Sequence, residues 1–432
     1  MATSTPFLAG WASAEITPDI PCRMGGYAAR SAPANATHDP LYTHALALGT
    51  QAQPLVVIVC DLVGVDETIV HEVREQVAIQ SPGATVWLGA THTHSGPNVA
   101  RSLSLTHEAP DPAIRERVIA GASSAAASAI ERMHPVSVKW ARGMINGIAT
   151  NRDHPDKSAD LSLDILCFYD TSEQASLDEQ PAKPVALFGS FPCHPTVLGA
   201  ENLALSADLP GAYRRQLQAL LGKDTWIALT TGAAGDISTR HMRQGQGFDE
   251  LERLGELLAK QAYALLPSAR PLKLDLPHIH DTVVALEQKE PFSADKLAAY
   301  THTVQERVSA ELQAGNTAQA RTLETVLQGL QAAQKRALTQ GEQVRNVAVS
   351  AAVLGECALV AIPGELYNNL GAKIKQGTAQ FVMLLGYTNG YVGYIPTREA
   401  YTEMDYEVLV SPFAPGSGER LENAIRMLLR QQ

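Results

Sequence analysis

The sequence predicts an α/β chain with a mixed β-sheet core and flanking helices. Three observations lead there. Apolar runs of strand length, such as Pro54-Leu55-Val56-Val57-Ile58-Val59-Cys60, alternate along the chain with longer segments of helical pattern. Several of these runs are followed within three residues by a histidine, a glutamate or a tyrosine, as strands are when their carboxyl ends open into a ligand crevice. The chain has 432 residues and 45% apolar content, enough to bury a large core.

Tyr42 to Cys60 reads as a hairpin around Thr50-Gln51-Ala52-Gln53, a helix follows from Glu67 to Gln80, and Ala84 to Ala90 is a strand. A second helix spans Asp111 to Met133, opened by Asp111-Pro112, because proline is tolerated in a first turn. Strands recur at Val136 to Met144, Leu163 to Tyr169, Pro184 to Phe191 and Trp226 to Thr230, with helices at Asp208 to Leu221 and Gly247 to Leu266. Residues 293–343 change character, being rich in Ala, Gln, Leu and Glu with few β-branched residues, and break at Gly315-Asn316. That composition predicts a helical hairpin inserted between strands, read as packing or a dimer surface in preference to a lid. Cys357 to Ile362 and Phe381 to Leu385 close the strand set. No repeat with a period of about 20–50 residues is visible, so 1–432 reads as one domain carrying this insertion.

Composition excludes several classes. A formal net charge of -11, with no Lys/Arg stripe interleaved by aromatics, argues against a nucleic-acid partner. The opening Met1-Ala2-Thr3-Ser4-Thr5 has no basic region or long apolar stretch of a secretory signal, and no apolar run reaches bilayer length. A cytoplasmic location is the expectation. Five cysteines, an odd number without tight spacing, point to reduced, buried thiols.

The chemistry concentrates in Thr91-His92-Thr93-His94-Ser95-Gly96-Pro97, where two imidazoles follow a strand. A strand repeats every two residues, so the spacing puts both rings on one face. A histidine pair alone is also what an ordinary core contains. His194 in Cys193-His194-Pro195 and Glu365 in Pro363-Gly364-Glu365 stand after strands in the same way, as do the tyrosines of Tyr387-Thr388-Asn389-Gly390-Tyr391-Val392-Gly393-Tyr394. Two histidines and a glutamate suit zinc and leave a position for water. Asp61 and Asp208 are candidates for orienting a ligand histidine, and Asp208 equally for capping a helix. His38, His134, His241, His278 and His280 are unassigned. A serine-hydrolase elbow, Gly-x-Ser-x-Gly, is missing from the sequence.

In chain order, Gly10-Trp11-Ala12-Ser13-Ala14-Glu15-Ile16-Thr17-Pro18, the THTHSGP run, Thr150-Asn151-Arg152, Cys193-His194-Pro195, Ala234-Gly235-Asp236-Ile237-Ser238, Pro363-Gly364-Glu365-Leu366 and Tyr391-Val392-Gly393-Tyr394-Ile395-Pro396-Thr397-Arg398-Glu399 resemble the catalytic domain of the neutral/alkaline non-lysosomal ceramidases. The resemblance implies zinc held by His92, His194, Glu365 and Tyr394. It implies His94 as the acid/base or carbonyl-polarising residue, Arg152 beside the substrate amide, and Ser238 and Tyr394 among the catalytic residues. It further implies a short bacterial-type member without the C-terminal immunoglobulin-like domain of longer relatives.

The departures from the family pattern are Asn98-Val99-Ala100 after HSGP, Thr239-Arg240 after Ser238, and Tyr367-Asn368-Asn369 after Pro-Gly-Glu. Bulkier Val99, Tyr367 and Asn368 are expected to narrow the pocket and favour an amide smaller than a two-chain lipid. The expected function is that of a zinc amidohydrolase cleaving an N-acyl amide, ceramide-like or smaller. A zinc hydrolase of the same fold acting on esters, lactones or small amides, and an inactive ligand-binding homologue, are the alternatives. A small N-acyl or sphingolipid-like substrate and a homo-oligomer are the expected partners.

Overall fold

The computed structural model describes residues 7–100, 109–171, 183–337, 343–378 and 380–430. The first six residues and the expected hairpin end at 338–342 lie outside the described residues.

The first sheet is built from β1 (Leu8–Glu15), β2 (Tyr42–Gly49), β3 (Pro54–Cys60), β4 (Thr85–Ala90), β5 (His134–Met144), β6 (Ser162–Asp170), β7 (Ala186–Phe191) and β8 (Trp226–Thr231). Their spatial order is β8-β7-β6-β5-β1-β2-β3-β4, and a short strand at Arg270–Pro271 pairs with β5. The β3/β4 and β7/β8 pairs are parallel, and the others antiparallel, so the sheet is mixed as expected. Helices α1 (Glu67–Gln80), α2 (Pro112–Glu131), α3 (Asp208–Leu221) and α4 (Phe248–Leu265) connect and cover it.

A second sheet holds β9 (His278–Glu287), β10 (Val344–Leu354), β11 (Cys357–Ala361) and β12 (Phe381–Leu385) in chain order, with β11 and β12 parallel. The predicted hairpin is present as α5 (Ala294–Gln313) and α6 (Thr317–Ala337), between β9 and β10. Helices α7 (Asn368–Gln376), α8 (Tyr406–Val410) and α9 (Ser417–Leu428) complete the chain.

Strands such as β3 and β11 are apolar on both faces and therefore need cover on both sides. In β3, Val56, Ile58 and Cys60 pack with Val73 of α1 and Ala125 of α2, while Leu55, Val57 and Val59 point the other way. That second set joins Trp87, Phe168 and Phe188 against Leu359, Met383 and Leu385 of the second sheet. The period of two thus produces four layers, helices on sheet on sheet on helices, where the sequence suggested one sheet.

Helix starts follow the local chemistry. Asp66 accepts from the Ile69 amide at 3.0 Å to cap α1, and Asp111 accepts from Ala113 at 2.9 Å to cap α2. The alanine run of α2 has a reason in packing. A Cβ at Gly10 of β1 would come within 2.2 Å of the Ala129 carbonyl, so helix and strand meet with little between their backbones. All five cysteines are free and buried. Among the described residues, no helix is long and apolar enough to cross a membrane.

Candidate metal centre

The carboxyl ends of β4, β7, β11 and β12 meet where the two sheets face each other, and each delivers part of one cluster. His92 follows β4, His194 follows β7, Glu365 follows β11, and Tyr387, Tyr391 and Tyr394 follow β12. The His92/His94 pair is not arranged by strand alternation. β4 ends at Ala90, and His92 takes a left-handed backbone, φ 67°. Tyr387, which stacks on the His92 ring at 4.0 Å, is left-handed too, φ 54°. Such conformations cost about 1–3 kcal/mol each and persist where the surroundings over-determine them.

Backbone carbonyls fix the imidazoles. His92 Nδ1 donates to the Val63 carbonyl at 2.5 Å, and His194 Nδ1 donates to the Ala234 carbonyl at 2.7 Å. A carbonyl only accepts, so both Nδ1 atoms carry hydrogen and, in the neutral rings, both Nε2 atoms present lone pairs. Burial pushes His92 down to about 3 and His94 well below its ordinary range, against some upward pull on His92 from Glu365. His194 Nε2 lies 2.8 Å from Glu365 Oε2 and 3.5 Å from the Tyr394 hydroxyl. His92 Nε2 lies 3.5 Å from the same Glu365 oxygen and 3.2 Å from His94 Nε2. Burial raises the Glu365 carboxyl, but His92, the His194 contact and the Tyr391 hydroxyl outweigh it and bring the group to about 2.

Lone pairs and a carboxylate oxygen thus converge in a site that is almost fully buried. A proton on one Nε2 would satisfy one of these contacts. A divalent cation satisfies all of them at once, so this donor set fits a metal with nitrogen and oxygen ligands. The nitrogens of His92, His94 and His194 also lie within 4.8 Å of one another, which makes His94 a competing ligand.

Around the cluster, Tyr391 donates to Glu365 Oε1, and Tyr387 stands 3.4 Å from Oε2. His94 sits against the Tyr27 ring at 4.8 Å, and a Cβ at Gly26 would strike its ring at 2.4 Å. Its Nδ1 is buried and has no hydrogen-bond partner among the described residues. Arg30 donates to the His94 carbonyl at 2.8 Å and to the Gly25 and Gly199 carbonyls, tying three loops together.

Arg152 donates to the Tyr394 hydroxyl at 3.0 Å and forms a buried ion pair with Glu407. Burial disfavours its charge, but Glu407 and Tyr394 more than compensate, so the guanidinium is held firmly protonated. Ser238 lies in a two-residue strand paired with Thr150–Asn151 and bridged to His194, and its Oγ accepts from the Arg240 amide at 3.2 Å. The seven residues expected at the site, His92, His94, Arg152, Ser238, His194, Glu365 and Tyr394, are therefore together. All but His194 line one cavity of about 630 Å3, and His194 is sealed behind it.

Four expectations are corrected. Asp61 does not orient a ligand histidine; it forms a two-pronged ion pair with Arg214 at 2.9 and 2.6 Å and accepts from the Tyr42 amide. Asp208 is not the cap of α3, which begins after Ala207 without a side-chain cap. Asp208 instead accepts from the Val197 and Leu198 amides at 3.1 Å, fixing the loop that leaves His194. Val99, Tyr367 and Asn368 do not line the cavity: Val99 is in the core under α1 and α2, and the other two face a separate crevice. The inserted hairpin does more than pack, because Arg321, Glu324, Thr325 and Gln328 of α6 form part of the cavity wall.

Sequence reasoning missed Glu407, which lies 255 positions from Arg152 and carries no local signal. It also missed Tyr27, Gly26 and Arg30, the seat of His94. A glycine pair before an aromatic residue, Gly25-Gly26-Tyr27, was the one visible hint of a close approach.

Residues 7–225 match the family described as neutral/alkaline non-lysosomal ceramidase, N-terminal. Among solved structures, a neutral ceramidase from Pseudomonas aeruginosa is similar with a TM-score of 0.76 and 17% identity, over 99% of this chain and 74% of that one. A ceramidase complexed with C2 is similar with a TM-score of 0.75 and 16% identity, over 98% of this chain and 75% of that one. These likenesses establish the fold. Comparison with curated protein sequences gives no match.

Proposed function

The chain belongs to the neutral/alkaline non-lysosomal ceramidase family, a family of amide hydrolases, and from that membership we propose that it is a zinc-dependent amidase cleaving an N-acyl amide, ceramide-like or smaller. The observation that carries the metal is the buried convergence of His92 Nε2, His194 Nε2 and Glu365 Oε2, with both Nδ1 atoms committed to carbonyls. His92, His194 and Glu365 would hold the zinc, with the Tyr394 hydroxyl as a fourth ligand or a donor to the substrate. Zinc bound there supplies a Lewis acid for the carbonyl and lowers the pKa of water to about 7.

The chain's own groups do the rest. Arg152, its direction fixed by Glu407, offers guanidinium hydrogens to the oxygen that gains charge as the amide carbon becomes tetrahedral. Such a donor contributes most in the transition state, where that charge is largest. His94, on the cavity wall beside His92, would accept a proton from the attacking water. It then returns the proton to the nitrogen, which must not depart as an anion. Ser238, beside the His194 loop and on the cavity wall, would hydrogen-bond the substrate amide.

A panel of ceramides, short N-acyl amides and matched esters, assayed with and without a zinc chelator, tests this reading. Amide hydrolysis that falls to background with chelator and returns with added zinc is the expected result. Cleavage of esters alone would favour the ester and lactone alternative, and turnover indifferent to chelation would overturn the zinc assignment.

A further inference from the structure

The cavity that holds the cluster also carries Arg240, Arg243 and Arg321 on its wall. This is against the trend of the chain, which has 34 basic and 45 acidic residues. Arg240 is partly neutralised by Asp153 at 3.6 Å and donates to the Arg152 carbonyl at 3.3 Å. Arg243 is half-buried, and among the described residues its side chain hydrogen-bonds the Thr196 carbonyl. Arg321, from the inserted helix α6, is exposed at the rim. Among the described residues, no carboxylate oxygen lies within 4.0 Å of a nitrogen of Arg243 or Arg321. Glu201 and Glu324 share the wall, but neither forms an ion pair among the described residues.

A half-buried guanidinium without a counter-ion, as Arg243 is among the described residues, is costly, and the planar forks of all three arginines match the geometry of carboxylates, sulfonates and phosphates. We infer that Arg240, Arg243 and Arg321 bind an anionic group on the substrate, so that the preferred amide is an acidic N-acyl compound. The inference rests on the amidase reading above and narrows its substrate class. It also gives the hairpin a role, since α6 brings one of the three cations to the cavity.

Three single-chain amides of similar length test it with the zinc-loaded protein. N-lauroylglycine carries its charge on the amine side, N-decylsuccinamic acid on the acyl side, and N-lauroylethanolamine none. One acidic compound should exceed the neutral one in kcat/KM by roughly tenfold or more, the scale of a charge-assisted hydrogen bond. In Arg321→Gln and Arg243→Gln that preference should collapse through KM. Because Arg243 also ties down the Thr196 loop, the exposed Arg321 is the cleaner variant. A neutral amide cleaved as well as both acidic ones, or a preference that survives in both variants, overturns the inference. If none of the three is cleaved, the amidase reading stands or falls on the ceramide panel above, and calorimetry decides the anion site. N-lauroylglycine must then bind the unaltered protein at least roughly tenfold more tightly than Arg321→Gln, and equal binding overturns the site.

Discussion

His94→Ala and Arg152→Ala are expected to keep their zinc and to lose roughly 100-fold or more in kcat, with metal analysis and steady-state kinetics on the same preparations as the readout. His94 is the proton carrier in this account, and Arg152 the donor to the developing oxyanion. Neither need be present for His92, His194 and Glu365 to hold the metal. The competing geometry, in which three imidazole nitrogens lie within 4.8 Å of one another, makes the opposite forecast for His94. Zinc lost with His94→Ala would make that residue a ligand and leave the proton transfer to another group.

Glu407→Ala carries the other large effect. It removes the carboxylate from a buried ion pair and strands the Arg152 guanidinium, which is 9% exposed beside a Glu407 side chain that is 1% exposed. Breaking a buried pair from one side costs about 3–5 kcal/mol, because the remaining charge is left without compensation. Denaturant unfolding should show that loss. The kinetic consequence follows from the same contact: without Glu407 the Arg152 fork is held only through the Tyr394 hydroxyl, so kcat should fall as well. Glu407→Gln, which keeps an oxygen for Arg152, should be milder in both measurements. Unchanged stability in Glu407→Ala would mean that the pair is not closed in solution.

The cluster itself was legible because its residues announce themselves locally. A histidine or glutamate directly after an apolar strand needs only the rule that strand ends share a crevice, and His92, His194 and Glu365 all obey it. The reason for the His92/His94 arrangement was misread, since a left-handed turn at His92 replaces strand alternation and no residue type in THTHSGP betrays it. Glu407 was invisible because its meaning lies in a partner 255 positions away. The same holds for Asp61 and Arg214, whose pairing across 153 positions redirects a carboxylate that sequence placed near the metal.

At the level of the fold, the strand and helix pattern located many elements closely, as with Glu67 to Gln80, which is α1, but not β1, β9, β10 or α7 to α9. It did not give the stacking of two sheets. An apolar run such as β3 states that both faces are covered, but not that one cover is helix and the other β-sheet. The pocket wall was the least legible part. Val99, Tyr367 and Asn368 differ from the family pattern close to the motifs, yet all three lie outside the cavity. Part of its wall comes instead from α6, a segment whose sequence reads only as helix-forming.

The central claim is that His92, His194 and Glu365 form a zinc centre, and elemental analysis of the purified protein beside its His92→Ala and Glu365→Ala variants tests it most directly. Close to one zinc per chain in the unaltered protein, with near zero in both folded variants, is the predicted result. Zinc that stays at the unaltered level in both variants would contradict the account.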